Sequence, residues 1–290
     1  MKNINSGRSA YKIFSIVVLV ILAILFLFPL YWIVTGAFKT TQQINSVTPV
    51  WFPTEWTLDN FVRLFARRTA PIFPMGPVGP AAIRWLFNTV FMAVAAMILT
   101  CITASMAGYA LAKKRFRGRA ILFGLIVCAM ALPKQVILIP LIREISFLGL
   151  YDNIWAVIFP TVGWPFGVFL MKQFSEGIPG EILEAARIDG ANEARTFATI
   201  VVPMVKPGLG ALAIFTFINS WNDYFMQLIM LASTENATIS LGISTLQAET
   251  SVDTGMLMAG AALAAAPIII VFLIFQKYFT QGITMGAVKG

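Results

Sequence analysis

Residues 13–34 form an almost unbroken apolar run, in which Ser15 is the one hydroxylic side chain before Tyr31. About 20 such residues let a helix cross a bilayer, because a helix satisfies its own backbone polar groups where no water can. The run is too long for a signal-peptide core and lacks a small-x-small cleavage site. It reads as a first transmembrane helix at 13–37. Lys2, Arg8 and Lys12 precede it without an acidic residue, which places the N-terminal segment 1–12 in the cytoplasm.

The rest of the chain repeats the theme. Its 290 residues are 58% hydrophobic and 12% charged, with a mean hydropathy of +0.81. A soluble domain of this size could not hide that much apolar side chain, so the composition points to a polytopic, all-α membrane protein with about six transmembrane helices. The net charge of +8 sits in short loops rather than on one soluble face, so the basic surplus belongs to a lipid bilayer and not to a nucleic acid. With no histidine, His-based catalysis and His metal sites are excluded. Cys101 and Cys128 each lie inside an apolar run and read as small buried hydrophobes.

Taken in order, residues 38–84 read as an external loop. Pro49, Pro53, Pro71, Pro74, Pro77 and Pro80 deny it a long helix, and residues 58–66 suit a short amphipathic one. Five further spans are expected within 85–279, the third interrupted by Pro133 and Pro140 and the fourth loosened by Pro160, Gly163, Pro165 and Gly167. Lys113, Lys114, Arg115, Arg117 and Arg119 mark the cytoplasmic side. The turn with Arg143, Glu144 and Asp152 and the acidic segment 233–255 are external, and the tail 280–290 is cytoplasmic. On this topology fourteen Lys and Arg lie inside, six outside and one, Lys134, within a helix. No internal repeat is visible, which argues against an inverted-repeat secondary transporter.

One long polar segment, 177–207, has helical order of its own. Pro179 suits a first helical turn, Glu181 and Glu184 favour the positive end of the dipole, and Glu184 can pair with Arg187. Asp189-Gly190 stops this helix, since glycine readily takes the left-handed conformation of a C-terminal cap. Asn192 can cap a second helix, on which Phe197, Ile200, Val201 and Met204 follow an i, i+3, i+4, i+7 pattern. Pro203 and Pro207 then turn the chain toward the next apolar run. Glu176, Glu181 and Glu193 read as solvated.

Glu184-Ala185-Ala186, Asp189-Gly190-Ala191, Phe197, Ile200 and Pro203 resemble the EAA loop of ATP-binding-cassette importer permeases. Gly149-Leu150, Pro165-Phe166-Gly167, Phe215 through Trp221-Asn222-Asp223, Met258-Ala259-Gly260 and the ending Gly286-Ala287-Val288-Lys289-Gly290 are similar to the second permease subunit of carbohydrate importers of the maltose-transporter type. The resemblance implies a type I importer fold in a bacterial inner membrane, with both termini cytoplasmic. It also implies a second permease subunit, two ATPase subunits carrying ATP and Mg, and an extracytoplasmic solute-binding protein. This chain has no G-x-x-x-x-G-K-[ST] phosphate loop, so no cofactor is expected on it. Glu184, Ala185, Ala186, Asp189, Gly190 and Pro203 would couple it to the ATPase, with the two alanines allowing close approach. Lys134 departs from the family, which usually has an uncharged residue there. The Pro-rich stretch around 66–82 is also extra.

Asn219, Trp221, Asn222, Asp223 and Tyr224 fall midway along the expected fifth helix. A carboxylate in an apolar span costs about 2–3 kcal/mol, so Asp223 should face a cavity or a partner. Amide and carboxylate groups suit sugar hydroxyls and aromatic rings stack on sugars; the same groups also serve as glue between helices. Lys134, with Gln135 beside it, is the remaining ionisable candidate on the path. It suits an acidic oligosaccharide, unless Asp223 neutralises it across the bundle or it snorkels to the outer interface. A secondary transporter or a membrane-embedded enzyme is the alternative, but only Lys134 and Asp223 could serve ion coupling. No cluster of nucleophile, base or metal ligands appears.

Overall fold

The computed structural model describes the backbone at 3–71, 78–248 and 253–287, and side chains at 11–67, 78–248 and 253–276. Glu249 and Thr250 in the acidic loop and Val288 to Gly290 in the tail lie outside the described residues.

The chain is mostly helical. An N-terminal helix α1 (Asn3–Ala37) is followed by α2 (Thr41–Ile44), α3 (Asp59–Ala66) and a two-stranded antiparallel pair, β1 (Arg68–Pro71) and β2 (Val78–Pro80). The pair departs from the all-α expectation. Proline forbids the long helix but is tolerated in short edge strands, and Pro71 and Pro80 stand in the two strands, while Pro74 and Pro77 lie outside the described residues. Helix α3 lies where its amphipathic pattern put it and buries Asn60 and Leu64.

Helix α4 (Ala81–Lys113) is the axis of the molecule and packs most extensively on α8 (Pro165–Glu176) and on α12 (Lys206–Asn222). The close approach to α8 is made at Gly108, where a Cβ would stand 2.6 Å from the backbone of Met171 and Lys172. Between these come α5 (Arg119–Met130), α6 (Leu138–Phe147) and α7 (Trp155–Val162). The polar segment supplies α9 (Gly180–Ile188), α10 (Glu193–Thr196) and α11 (Val202–Met204), and the chain ends with α13 (Tyr224–Met230), α14 (Ile239–Gln247) and α15 (Thr254–Ala287).

Among the described residues, four stretches are long and apolar enough to cross a membrane: Tyr11–Ala37, Ala81–Lys113, Trp155–Glu176 and Thr254–Gln276. A fifth is added if Glu193–Met204 and Lys206–Asn222, bent by 79°, form one span. The expected third span is therefore not one continuous helix. It ends at Met130, runs irregularly past Pro133, and resumes as α6 with Pro140 in its first turn, where a missing N–H costs nothing. The expected fifth helix is also divided, because α12 stops at Asn222 and α13 begins at Tyr224.

Two cores result. The larger gathers Trp85, Met92, Phe217, Trp221, Met230 and Ile239 around the N-terminal half of α4, the C-terminal half of α12, and α13 and α14. The smaller joins Ala104 and Tyr109 of α4 and Met171 of α8 to Leu183, Val201 and Val205 of the polar segment. At the far end of α1, Phe28, Trp32 and Trp51 cluster and the Tyr31 hydroxyl donates to the Trp51 carbonyl at 2.6 Å, an aromatic group of the kind that marks a membrane interface. Lys39 is buried there, its ammonium 4.1 Å from the centre of the Trp32 ring.

Candidate functional site: a helical hairpin and a cavity at helix breaks

The hairpin is built as its sequence prescribes at the turn. Gly190 has φ +75°; its N–H donates to the Arg187 carbonyl at 3.1 Å, and the Ala191 N–H donates to the Ala186 carbonyl at 2.9 Å. This is the Schellman arrangement, with glycine at the left-handed position. Asn192 caps α10 by accepting from the Arg195 N–H at 2.8 Å. Pro179 precedes the first helical residue of α9 and serves as its N-cap position.

Three details differ from expectation. Ala186 is buried with Leu183 against the rest of the chain, so only Ala185 of the pair faces outward with Glu184, Asp189 and Gly190. Arg187 pairs with Glu193 at 3.5 Å rather than with Glu184. Residues Phe197–Val201 form a π turn in which the Val202 N–H reaches the Phe197 carbonyl. Pro203 lacks an N–H and its ring crowds the preceding turn, which favours this wider winding. The winding shifts the helix phase, so Val205 is buried while Met204 is 41% exposed. Pro203 itself lies exposed next to the π turn.

Glu193 is solvated as read, 59% exposed, and is also the point at which the hairpin is bonded to the rest of the chain. It accepts from Lys114, the C-cap of α4, and, at 3.4 Å, from the Tyr109 hydroxyl on α4. The outer side carries Ile188, 87% exposed, an apolar side chain among polar ones.

The cavity lies elsewhere, where three helices break. It has a volume of about 480 Å³. Lys134 and Ile137 come from the irregular link after α5. Thr161, Trp164 and Phe166 come from the α7–α8 break, and Asn219 and Asp223 from the end of α12. Lys134 Nζ donates to Asp223 Oδ2 at 2.7 Å, and Asp223 Oδ1 accepts from the Met226 N–H at 3.4 Å, capping α13. The carboxylate is thus the break itself rather than a mid-helix group. The Trp164 and Phe166 rings lie 5.0 Å apart and give the cavity an apolar wall.

The structure brings together Lys134, Asn219 and Asp223. The other path candidates lie off the cavity. Trp221 is buried in the larger core beside Phe217, with ring centres 5.5 Å apart. Asn222 donates to the Ile218 carbonyl of its own helix at 3.0 Å. Gln135 and Tyr224 are exposed outside the lining. Trp164 and Phe166 were not selected from sequence, although Pro160, Gly163 and Pro165 had marked the break that exposes them.

Across 104–285 the chain matches the family described as "Binding-protein-dependent transport system inner membrane component". It is 34% identical to the Arabinooligosaccharides transport system permease protein AraQ of Bacillus subtilis, covering 97% of each chain. It is 33% identical to the Maltodextrin transport system permease protein MdxG of the same organism, covering 99% of this chain and 100% of the relative. A chain from the crystal structure of a bacterial ABC transporter involved in the import of the acidic polysaccharide alginate shares the fold, with a TM-score of 0.79 at 23% identity over 94% of this chain and 98% of that one. With the hairpin, the bundle and these matches agreeing, the chain belongs to the family of binding-protein-dependent transport system inner membrane components.

Proposed function

We propose that this chain is one of two permease subunits of an ATP-driven importer, and that its solute is an oligosaccharide. The observation that carries the solute class is the cavity, in which Lys134, Asp223 and Asn219 face an aromatic wall of Trp164 and Phe166. Polar groups that donate and accept, set against a ring-sized apolar face, match the two faces of a sugar. Relatives covering nearly the whole chain are named as transporters of arabinooligosaccharides and maltodextrin, which supports the same reading.

On this reading the chain crosses a bacterial inner membrane six times, through α1, α4, the α5–α6 pair, the α7–α8 pair, α12 with α13, and α15. The termini and the 177–207 hairpin are cytoplasmic. Residues 38–84 and the α13–α14 and α14–α15 turns face the solute-binding protein. The outward face of the hairpin, Glu184, Ala185, Ile188 and Asp189, docks on an ATPase subunit that binds ATP and Mg. Docking explains why an apolar Ile188 stands in the open. ATPase closure moves the hairpin, and the bundle alternates between inward-open and outward-open states. The solute favours transfer only through contacts that differ between the two states.

The ion pair makes the polar wall net neutral, so neutral oligosaccharides fit first. A carboxylated oligosaccharide is the second reading, favoured by the 49% exposed Lys134 ammonium, which spends one of its N–H groups on Asp223.

The test is purification in mild detergent from the native membrane and reconstitution into liposomes. ATPase chains should co-purify, and labelled oligosaccharide should enter only with ATP and binding protein. Uptake driven by an ion gradient without ATPase chains would establish a secondary transporter. Product formation without uptake would establish a membrane-embedded enzyme.

A further inference from the structure

The hairpin is fastened to α4 in a way that reaches the cavity. Lys113 and Lys114 are adjacent residues at the cytoplasmic end of α4 and are used differently. Lys113 Nζ donates to the carbonyls of Glu176 at 3.0 Å and Ile178 at 2.6 Å, on the unsatisfied C-terminal end of α8. Lys114 reaches across to Glu193 on the other arm of the hairpin. Tyr109, one turn earlier, donates to the same carboxylate and packs its ring on Phe197, centre to centre 5.8 Å. The start of the hairpin and its second arm are therefore held by the last residue of α4 and by its C-cap, while Leu183, Val201 and Val205 share a core with α4 beneath them.

The same helix touches the cavity wall. Thr100 Oγ1 donates to the Thr161 carbonyl at 3.3 Å, and Thr103 Oγ1, whose shortest acceptor is the Leu99 carbonyl of its own helix at 2.9 Å, lies 3.2 Å from the Val162 carbonyl. Thr161 lines the cavity, and Val162 ends the helix at the break from which Trp164 and Phe166 project. From Thr100 to its last residue, Lys113, the helix is a rod of about 20 Å at 1.5 Å per residue, and Lys114 is the extended residue that caps it. One packed helix thus bonds the wall at the Thr161 carbonyl and, through its C-cap Lys114, bonds Glu193 of the hairpin.

We propose that Glu193 with Lys114 is a positioning latch that transmits motion of the 177–207 hairpin through α4 to the α7–α8 break. The inference rests on the hairpin being the ATPase-docking element. Neither residue touches solute. Glu193 is 59% exposed and Lys114 28%, and a pair this open adds little to folding stability. Its variants should therefore fold, and its effect lies in coupling between two sites, which an equilibrium exchange of partners can measure.

The experiment uses the reconstituted complex and reads solute imported per ATP hydrolysed. Glu193→Gln and Lys114→Gln should each lower that ratio several-fold. The exchanged pair, Lys114→Glu with Glu193→Lys, should regain most of it. Wild-type ratios in both single variants, or an exchanged pair no better than either, would overturn the latch. A second measurement guards against misfolding: Tyr109→Phe keeps the ring packing and removes only the hydroxyl contact, and should lower the ratio by less. If the single variants shift the melting temperature but leave the ratio unchanged, the pair is a structural brace and the latch is overturned. Failure of ATPase chains to co-purify with the wild-type protein, by contrast, would strike at the docking role of the hairpin and not at the latch alone.

Discussion

The hairpin at 177–207 and the cavity beside Asp223 are both made where helices stop, but they stop for different kinds of reason. In the hairpin the stop is local. Gly190 takes φ +75° and the two bonds that close the cap span a few residues. In the cavity the stop is tertiary. Asp223 can leave the helix because Lys134, 89 residues away, and the Met226 N–H share its carboxylate. A break of the first kind is written in neighbouring residues and resists change there. A break of the second kind depends on a distant partner and is open to rearrangement, which suits a surface that must alternate between two states.

The largest effect should come from testing the local break. Gly190→Pro locks φ near −65° and removes the N–H that binds the Arg187 carbonyl, a cost of about 3 kcal/mol or more. Import should fall by more than tenfold while membrane insertion persists. The matched control is Gly163→Ala at the cavity break, where φ is −82° and a Cβ would meet nothing within 4 Å. That variant should keep its melting temperature. Uptake assays and melting curves of the two variants decide it. Equal damage from both would mean that the cavity break is as locally determined as the hairpin.

That contrast also sets what could be read from the sequence. The left-handed cap at Gly190, the Asn192 cap and the amphipathic α3 rest on interactions a few residues apart, and their positions follow from residue type. Glu193 does not. Nothing near it in the chain is basic except Arg187 and Arg195, and its main partner Lys114 is 79 residues away. The resemblance gives Ala185 and Ala186 the same close-approach role, since two alanines in a row give no sign of which one the bundle covers, and it covers Ala186. Helical spacing puts Met204 on one face with Phe197, Ile200 and Val201, but the π turn at Phe197–Val201 gives the buried position to Val205. Lys134 and Asp223 were singled out because charge is costly in an apolar span. Their pairing was an open option, and the fold chooses it. Trp221 looked equivalent to Asp223 by proximity in sequence, but a side chain two residues along a helix points elsewhere, into the larger core.

A smaller effect should separate the two members of the cavity pair. Asp223 is 16% exposed and Lys134 is 49% exposed. Lys134→Gln removes the cation and leaves the more enclosed carboxylate short of a partner, at a cost of roughly 1–3 kcal/mol. Asp223→Asn leaves an ammonium that water can reach, and asparagine still caps α13. Melting should therefore drop more for Lys134→Gln than for Asp223→Asn. The reverse order would mean that Lys134 is the enclosed partner in the membrane. The same Lys134→Gln protein sharpens the solute question. A loss confined to carboxylated oligosaccharides and weaker at high salt supports an acidic solute, whereas equal loss for acidic and neutral oligosaccharides supports the neutral reading.

The smallest effect concerns a third way to fix a turn, with a carboxylate instead of a glycine or a distant cation. Asp152, between α6 and α7, has φ +59°, unusual for a residue with a Cβ, and its Oδ1 accepts from the Ala232 N–H at 2.8 Å, the Ser233 N–H at 2.9 Å and the Ser233 hydroxyl at 3.1 Å. Partial burial opposes ionisation, but these bonds and one from Asn236 outweigh it, so the carboxyl is held below its usual range. A carboxyl whose folded pKa is depressed contributes stability that is fully present above its unfolded pKa of about 3.9 and is lost as pH falls through the lower folded value. Asp152→Asn keeps an acceptor and tolerates positive φ, so the loss near neutral pH should be about 1 kcal/mol, or roughly 2–4 °C in melting temperature. The wild-type advantage should shrink as pH is lowered from 5 toward 3 and should be flat above 6. A gap that widens on acidification would show that Asp152 is protonated in the folded protein, and that the turn is held by neutral hydrogen bonds instead.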